Sequence, residues 1–479
     1  MKLFTNMEIN NSKEKENSSL TRQLGLFDST MMLVGITIGS GIFLTSGIIA
    51  GYLPSSGLIL IAWLGGGLII LTGALTYAEL GAAMPEAGGQ YVYLREAYGP
   101  LFGFLFGWKM FLVSMGGAIA ALAVAFAEYF SYFFPALSLQ NSLFSINIPF
   151  VSITYSLSAG QLVAVAVIIL LSMFNYIGVV FGKMIQNIFT VLKIGTIVLF
   201  IFLGLFFGKG EPVSFSISPG HPGFGFGQIV SGFGLALIAI SWAYDGWNNL
   251  NYAAGEIKNP KRNLPYALVA GTLTITVLYV LINLVYFTAL PVNEAAGVVR
   301  IAEKAAGALF GKTSAGLFSA VVLVSVFGAL NGSIFVGPRV YYAMARDGLF
   351  FKKVGNVHSK FRTPGFAVML QALWASLLAL TGTFEQLFTY ATFLNILFWV
   401  GGTAAVFTLR KKFPDLPRPY KTWGYPVVPM VFIIAFFGVL INTLIEKPVE
   451  SLIGLFFTLL GIPIFYLWKQ KSKPDKEKF

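Results

Sequence analysis

Three glycines fall within seven positions of an apolar run, at Gly35-Ile36-Thr37-Ile38-Gly39-Ser40-Gly41, and a later apolar run is interrupted by Ser241-Trp242-Ala243-Tyr244-Asp245-Gly246-Trp247-Asn248-Asn249. Glycine costs about 1 kcal/mol relative to alanine inside a helix and permits positive φ, so the first run is weakest where the glycines cluster. An aspartate in mid-span costs about 2.5–3.5 kcal/mol on an insertion scale, so Asp245 needs a wet or paired environment. A broken helix exposes free N–H groups with partial positive charge at one half and free C=O groups at the other. That pair of half-charges suits a carboxylate and an ammonium held together, which is a zwitterionic amino acid. On this reading Gly39, Ser40 and Gly41 bind the carboxylate, and carbonyls near Thr37, Trp242 and Asp245 bind the amine. Close helix packing is the competing explanation for the glycines, and it weighs most when the first run is taken alone.

Bond-breaking chemistry finds little support. The chain has no cysteine, and its two histidines, His221 and His358, fall in loops on opposite sides of the expected membrane. Its carboxylates are scattered, so metal, nucleophilic and two-carboxylate catalysis lack their residues, and no cofactor or metal is expected. Cysteine's absence also rules out a disulfide to any ancillary subunit, while non-covalent association stays open.

The elements that carry these breaks are membrane spans. Of the 479 residues, 56% are hydrophobic and 11% charged, with a mean hydropathy of +0.76. A soluble domain carries roughly 25% charged residues. Apolar runs separated by polar or Gly/Pro punctuation predict twelve spans at 28–50, 57–81, 100–134, 160–178, 184–208, 228–253, 264–290, 313–345, 364–382, 384–409, 426–445 and 450–468. The weakest division is near Gly382, and the polar stretch from Pro85 to Pro100 has the length for a short helix along the cytoplasmic surface. The expected organisation is a cytoplasmic tail over 1–27, a ten-helix transport core over 28–409, two further helices over 410–468 and a second cytoplasmic tail over 469–479.

The net charge of +12 sorts by side of the membrane. With both termini inside, 24 of the 32 Lys and Arg fall in tails and cytoplasmic loops, against five in outer loops. That is the positive-inside pattern, and it accounts for the basic balance without nucleic acid. Lys109, Lys193 and Arg339 lie within spans. A multi-pass protein of the cell membrane, in contact with lipid, is the expectation. The breaks fall in spans one and six, five apart, as in folds made of two inverted five-helix repeats that hold substrate near the midplane.

At these residues the sequence resembles the amino acid–polyamine–organocation superfamily, and within it the L-type amino acid transporter branch that includes the light subunits of heteromeric exchangers. The matching stretches are Gly39-Ser40-Gly41-Ile42-Phe43, Tyr77-Ala78-Glu79-Leu80-Gly81 with Gly88-Gly89, Ala243-Tyr244-Asp245-Gly246-Trp247-Asn248, Glu256 with Asn259-Pro260 and Asn263-Leu264-Pro265, and Asn331-Gly332-Ser333. The resemblance runs from about Gly25 to about Trp468. It implies an all-α membrane protein of twelve helices, with a leucine-transporter-like 5 + 5 inverted repeat, helices one and six unwound, and alternating access. It implies that Lys193 replaces a sodium ion, that Trp242 gates the substrate, and that Tyr244, Asp245 and Asn395 belong to the side-chain pocket. Two departures bear on function. Ser131 stands near where light subunits carry the cysteine that links them to their glycoprotein, and Asp245 stands where several relatives preferring large neutral substrates have glycine. The implied function is sodium-independent exchange of small neutral amino acids such as alanine, serine or glycine. Proton-coupled uptake, exchange of cationic or larger substrates, and an amino-acid sensor that moves nothing are the alternatives.

Overall fold

The computed structural model describes residues 20–148, 153–208, 212–216, 225–311, 314–381, 384–446 and 448–471. Most of both tails, His221 and the turn at Gly382 lie outside these residues. Among the described residues, ten helices are long and apolar enough to cross a membrane, and eleven if one bent pair counts as a single span. The bent pair is α1 (Leu26–Thr37) and α2 (Gly41–Ala50), which meet at 42° across the glycine cluster.

From there α3 runs over Ser56–Ala83 and α4 over Gln90–Tyr98. The expected surface helix therefore exists, but Tyr91, Val92, Tyr93 and Leu94 are buried, so it is packed into the protein and not merely laid on it. Next come α5 (Pro100–Phe130), α6 (Ala159–Ile177), α7 (Val179–Phe207) and α8 (Phe226–Ala243). The second half holds α9 (Pro260–Ala289), α10 (Ile301–Phe310), α11 (Ser314–Arg346), α12 (Gly365–Thr381), α13 (Phe384–Lys412), α14 (Val427–Glu446), α15 (Pro448–Leu459) and α16 (Gly461–Lys471).

The fold is all-helical as expected, with one addition: an antiparallel hairpin of β1 (Ser142–Ile148) and β2 (Ile153–Ser158) joins α5 to α6. Alternation of apolar and polar residues is confined to Phe144-Ser145-Ile146-Asn147-Ile148, at the short end of the runs that mark a strand. The expected sixth span, 228–253, is α-helical only as far as Ala243. Helix α8 stops at Ala243, and a turn leads into a 3-10 segment over Asn249–Glu256. Gly246 sits in that turn at φ +107°, which only glycine adopts without strain. The apolar helix α12, at 17 residues, stands at the short end of the spanning range.

Around the breaks, α1 packs against α7, α9 and α11, while α2 packs against α8 and α10. The two halves of the first broken span thus answer to different neighbours. Elsewhere the outward faces are apolar. On α7 alone Ile188, Val191, Leu192, Val198, Leu199 and Phe202 are about half exposed. A contiguous apolar band of this extent is stable against lipid hydrocarbon and not against water.

Candidate functional site

Both breaks open onto one small cavity. Ile36, Thr37, Gly39, Ser40 and Gly41 line it from the first break, and Trp242, Ala243, Asp245 and Gly246 from the second. Met110, Ser114, Met115 and Leu122 of α5, Ser333 of α11 and Asn395 and Trp399 of α13 complete most of the wall.

Breaking the first span leaves main-chain groups over. The Gly39 amide turns back to the Thr37 carbonyl at 2.9 Å, and Phe43 N–H reaches the Ser40 carbonyl at 3.1 Å. Between them, the amides of Ser40, Gly41 and Ile42 have no acceptor among the described residues. Ser40 caps α2 without a side-chain bond, so the helix begins with donors unspent at the cavity wall. On the carbonyl side, Ile36 C=O receives nothing among the described residues. Thr37 C=O, chosen from the sequence, already accepts the Gly39 amide and the Tyr279 hydroxyl at 3.1 Å. The neighbouring Ile36 carbonyl, which the sequence reading did not name, is the one left over, because the Gly39 amide and Tyr279 of α9 both turn to Thr37.

Gly41 is where a side chain would do most harm. A Cβ there would stand 2.7 Å from Ala243 Cα, so the start of α2 and the end of α8 touch backbone to backbone. Gly39 has ordinary room, its virtual Cβ lying 3.4 Å from Leu122. The glycine pattern therefore serves packing as well as unwinding, and the two explanations weighed from sequence hold together at different residues. Tyr279 Oη also donates to the Ala243 carbonyl at 2.8 Å, so one hydroxyl bridges both breaks.

Of the expected pocket residues, Trp242, Asp245 and Asn395 border the cavity. Tyr244 does not. Its ring meets Tyr279 edge-to-face and lies tilted against Trp63, and its hydroxyl meets Thr276 at 3.2 Å, which turns it into the packing behind the break. The turn after Ala243 sends successive side chains to opposite sides, a reversal that helical spacing does not reveal.

Asp245 is not alone at the cavity. Its Oδ2 accepts Asn395 Nδ2 at 2.9 Å, and Asn395 Oδ1 accepts Lys109 Nζ at 2.5 Å. Lys109 also donates to Ser114 Oγ at 3.2 Å and lies over the rings of Phe106 and Phe398, at 5.1 and 5.3 Å. Helix α5 widens to a single π turn over Met110–Ser114, directly after Lys109. Such bulges recur at functional sites, and here one draws Lys109 and Ser114 together.

Lys193 is fully buried on α7. Its Nζ donates to the Gly35 carbonyl at 2.8 Å and to the Ile38 carbonyl, which Ser325 Oγ also reaches at 3.1 Å. The ammonium thus holds the carbonyls that α1 releases as it unwinds. Three other carboxylates are held in ion pairs. Glu256 makes a fully buried two-point pair with Arg339, at 2.9 and 3.0 Å, and Glu79 pairs with Arg410 at 2.8 and 2.7 Å. Glu128 reaches Arg300 at 2.6 Å, and Ser131 bonds back to the Glu128 carbonyl.

Comparison with known proteins bears on the whole chain. The model of the amino acid permease family matches residues 24–468. The serine/threonine exchanger SteT of Bacillus subtilis is 33% identical over 466 residues, covering 95% of this chain and 99% of that protein. The large neutral amino acids transporter small subunit 2 of mouse is 32% identical over 95% of this chain and 83% of its own length. Human b(0,+)-type amino acid transporter 1 is 31% identical, over 97% and 93%. These relatives are transporters and exchangers, not enzymes, and the chain belongs to the amino acid permease family.

Proposed function

We propose that this protein is a sodium-independent exchanger of small neutral amino acids in the cell membrane. The observation that carries the reading is the row of acceptor-less amides at Ser40, Gly41 and Ile42, set at the same cavity as the unspent Ile36 carbonyl. A substrate carboxylate completes the amides at the N-terminus of α2, and its ammonium group takes carbonyls of the unwound stretches. Of the expected carboxylate residues, Ser40 and Gly41 offer free amides, while Gly39 gives its amide to Thr37 and lines the cavity beside them. Ile36 joins Trp242 and Asp245 on the amine side, with Thr37 held by Tyr279. Trp242 and Asn395 bound the side chain, and the bulk of Met110, Met115, Leu122 and Trp399 around it favours a small one.

Lys193 takes the place of a bound sodium ion by supplying a fixed charge to Gly35 and Ile38. The ten long helices, the bent pair and α12 together give twelve crossings, in keeping with a 5 + 5 repeat followed by two helices, with both termini cytoplasmic. Exchange is favoured by the relatedness to a serine/threonine exchanger. The test is uptake of labelled serine or alanine into proteoliposomes in sodium-free buffer, with and without internal amino acid. Exchange requires uptake only into loaded vesicles. Uptake into empty vesicles driven by a pH gradient replaces exchange with proton coupling, and binding without uptake in either case makes the protein a sensor.

A further inference from the structure

Asp245 presents a carboxylate to the cavity, yet a small neutral amino acid has no third charge to answer it. The answer comes from the protein. Lys109 on α5 and Asp245 beyond α8 are joined through the two ends of one amide, Asn395, at 2.5 and 2.9 Å. Lys109 is 2% exposed and Asn395 7%, whereas Asp245 is partly exposed at the wall. We propose that Lys109 is a specificity-determining residue, a built-in side-chain cation that occupies Asp245 through Asn395 and so excludes amino acids with cationic side chains. This rests on the reading of the cavity as an amino acid site and adds a residue and a selection rule to it.

The physical argument runs through charge and geometry. In a poorly hydrated cavity an unmatched carboxylate strongly favours a ligand cation, while a carboxylate already matched does not. Asn395 can serve as the bridge because its carbonyl end accepts from the ammonium and its NH₂ end donates to the carboxylate, so the polarity of the amide agrees with both charges. The aromatic faces of Phe106 and Phe398 hold the ammonium from the other side. The π turn at Met110–Ser114 supplies a third contact, Ser114 Oγ, which itself lines the cavity. A lysine that served only to fill space would need neither an oriented amide nor a local change of helix pitch. The rule works in both directions. Removing the cation leaves Asp245 to recruit a basic side chain, and removing the carboxylate leaves Lys109 to recruit an acidic one.

The experiment measures competition against labelled serine exchange in proteoliposomes by unlabelled serine, arginine and glutamate, for wild type, K109Q, K109R, D245N and the double variant K109Q/D245N. Arginine should gain on serine by roughly tenfold or more in K109Q. K109R should restore the wild-type ratio, glutamate should gain in D245N, and the double variant should discriminate as wild type does. A K109Q protein that exchanges serine with an unchanged arginine-to-serine ratio overturns the proposal. If K109Q fails to fold, D245N decides: no gain by glutamate overturns it equally. Wild-type protein that exchanges no amino acid at all defeats the exchanger reading instead, so the two failures are separate.

Discussion

The ammonium of Lys193 and the carbonyl of Gly35 meet at 2.8 Å although 158 positions separate them in the chain. With the Ile38 carbonyl as its second acceptor, Lys193 spans the last turn of α1 and the first unwound residue beyond it. A charge fixed by a covalent side chain cannot leave as an ion can, so transport tied to this site has no reason to vary with external sodium.

Replacement of Lys193 by Met therefore removes the donor to two buried carbonyls, each costing about 1–3 kcal/mol when unsatisfied. The expected result is a fall of roughly tenfold or more in exchange rate, while wild-type rates stay equal in sodium and choline buffers. Wild-type turnover in the Met variant would disprove the anchoring role.

Gly41→Ala and Gly39→Ala should part company. The first places a methyl 2.7 Å from Ala243 Cα and must push α2 off α8, whereas the second finds ordinary contact distances. Overpacking of this kind costs about 1–3 kcal/mol, so Gly41→Ala should melt several degrees below wild type in detergent and bind substrate weakly. Gly39→Ala should melt close to wild type. Equal melting temperatures for the two would show that the backbone approach at Gly41 contributes nothing.

Tyr279→Phe tests the link between the breaks. The hydroxyl shares its proton between Thr37 C=O at 3.1 Å and Ala243 C=O at 2.8 Å, and a hydrogen bond of this type contributes about 0.5–1.5 kcal/mol. Substrate affinity should drop about three- to tenfold, with protein yield preserved. Isothermal titration or competition binding gives the number, and an unaltered Kd would mean the two breaks are positioned without it.

Arg339→Leu strands Glu256 in a site where both partners are 0% exposed. Loss of one member of a buried pair costs about 3–5 kcal/mol, so this variant should be poorly expressed and strongly heat-labile. Truncating both, as Arg339→Leu with Glu256→Gln, should recover part of that stability. Thermal unfolding of purified protein distinguishes the two, and a double variant no better than the single one would place the damage elsewhere.

Local chemistry made much of the molecule legible before any coordinates. Long apolar runs give spans because hydrocarbon demands internally bonded backbone, and a cluster of glycines marks a break because it weakens that bonding wherever the run sits. The positions of the first break, of Asp245 and of nearly every helix followed from these rules. The sequence also indicated that Lys193 was too deep in its span to be idle.

Other features came only from packing between distant segments. The sequence placed Lys109 in a span and assigned it nothing, since its partner Asn395 stands 286 positions away. Thr37 and Ile36 are equivalent in sequence terms, and the local turn of the Gly39 amide together with the distant hydroxyl of Tyr279 spends the Thr37 carbonyl. Tyr244 and Asp245 are adjacent, yet the turn past Ala243 buries one behind the break and shows the other to the cavity. The type and spacing of residues thus determined where the helices run and where they fail, because those outcomes depend on neighbours along the chain. Which freed groups remain for a ligand was settled by tertiary structure, because a hydrogen-bonding group is spent by whatever the fold brings within about 3 Å of it.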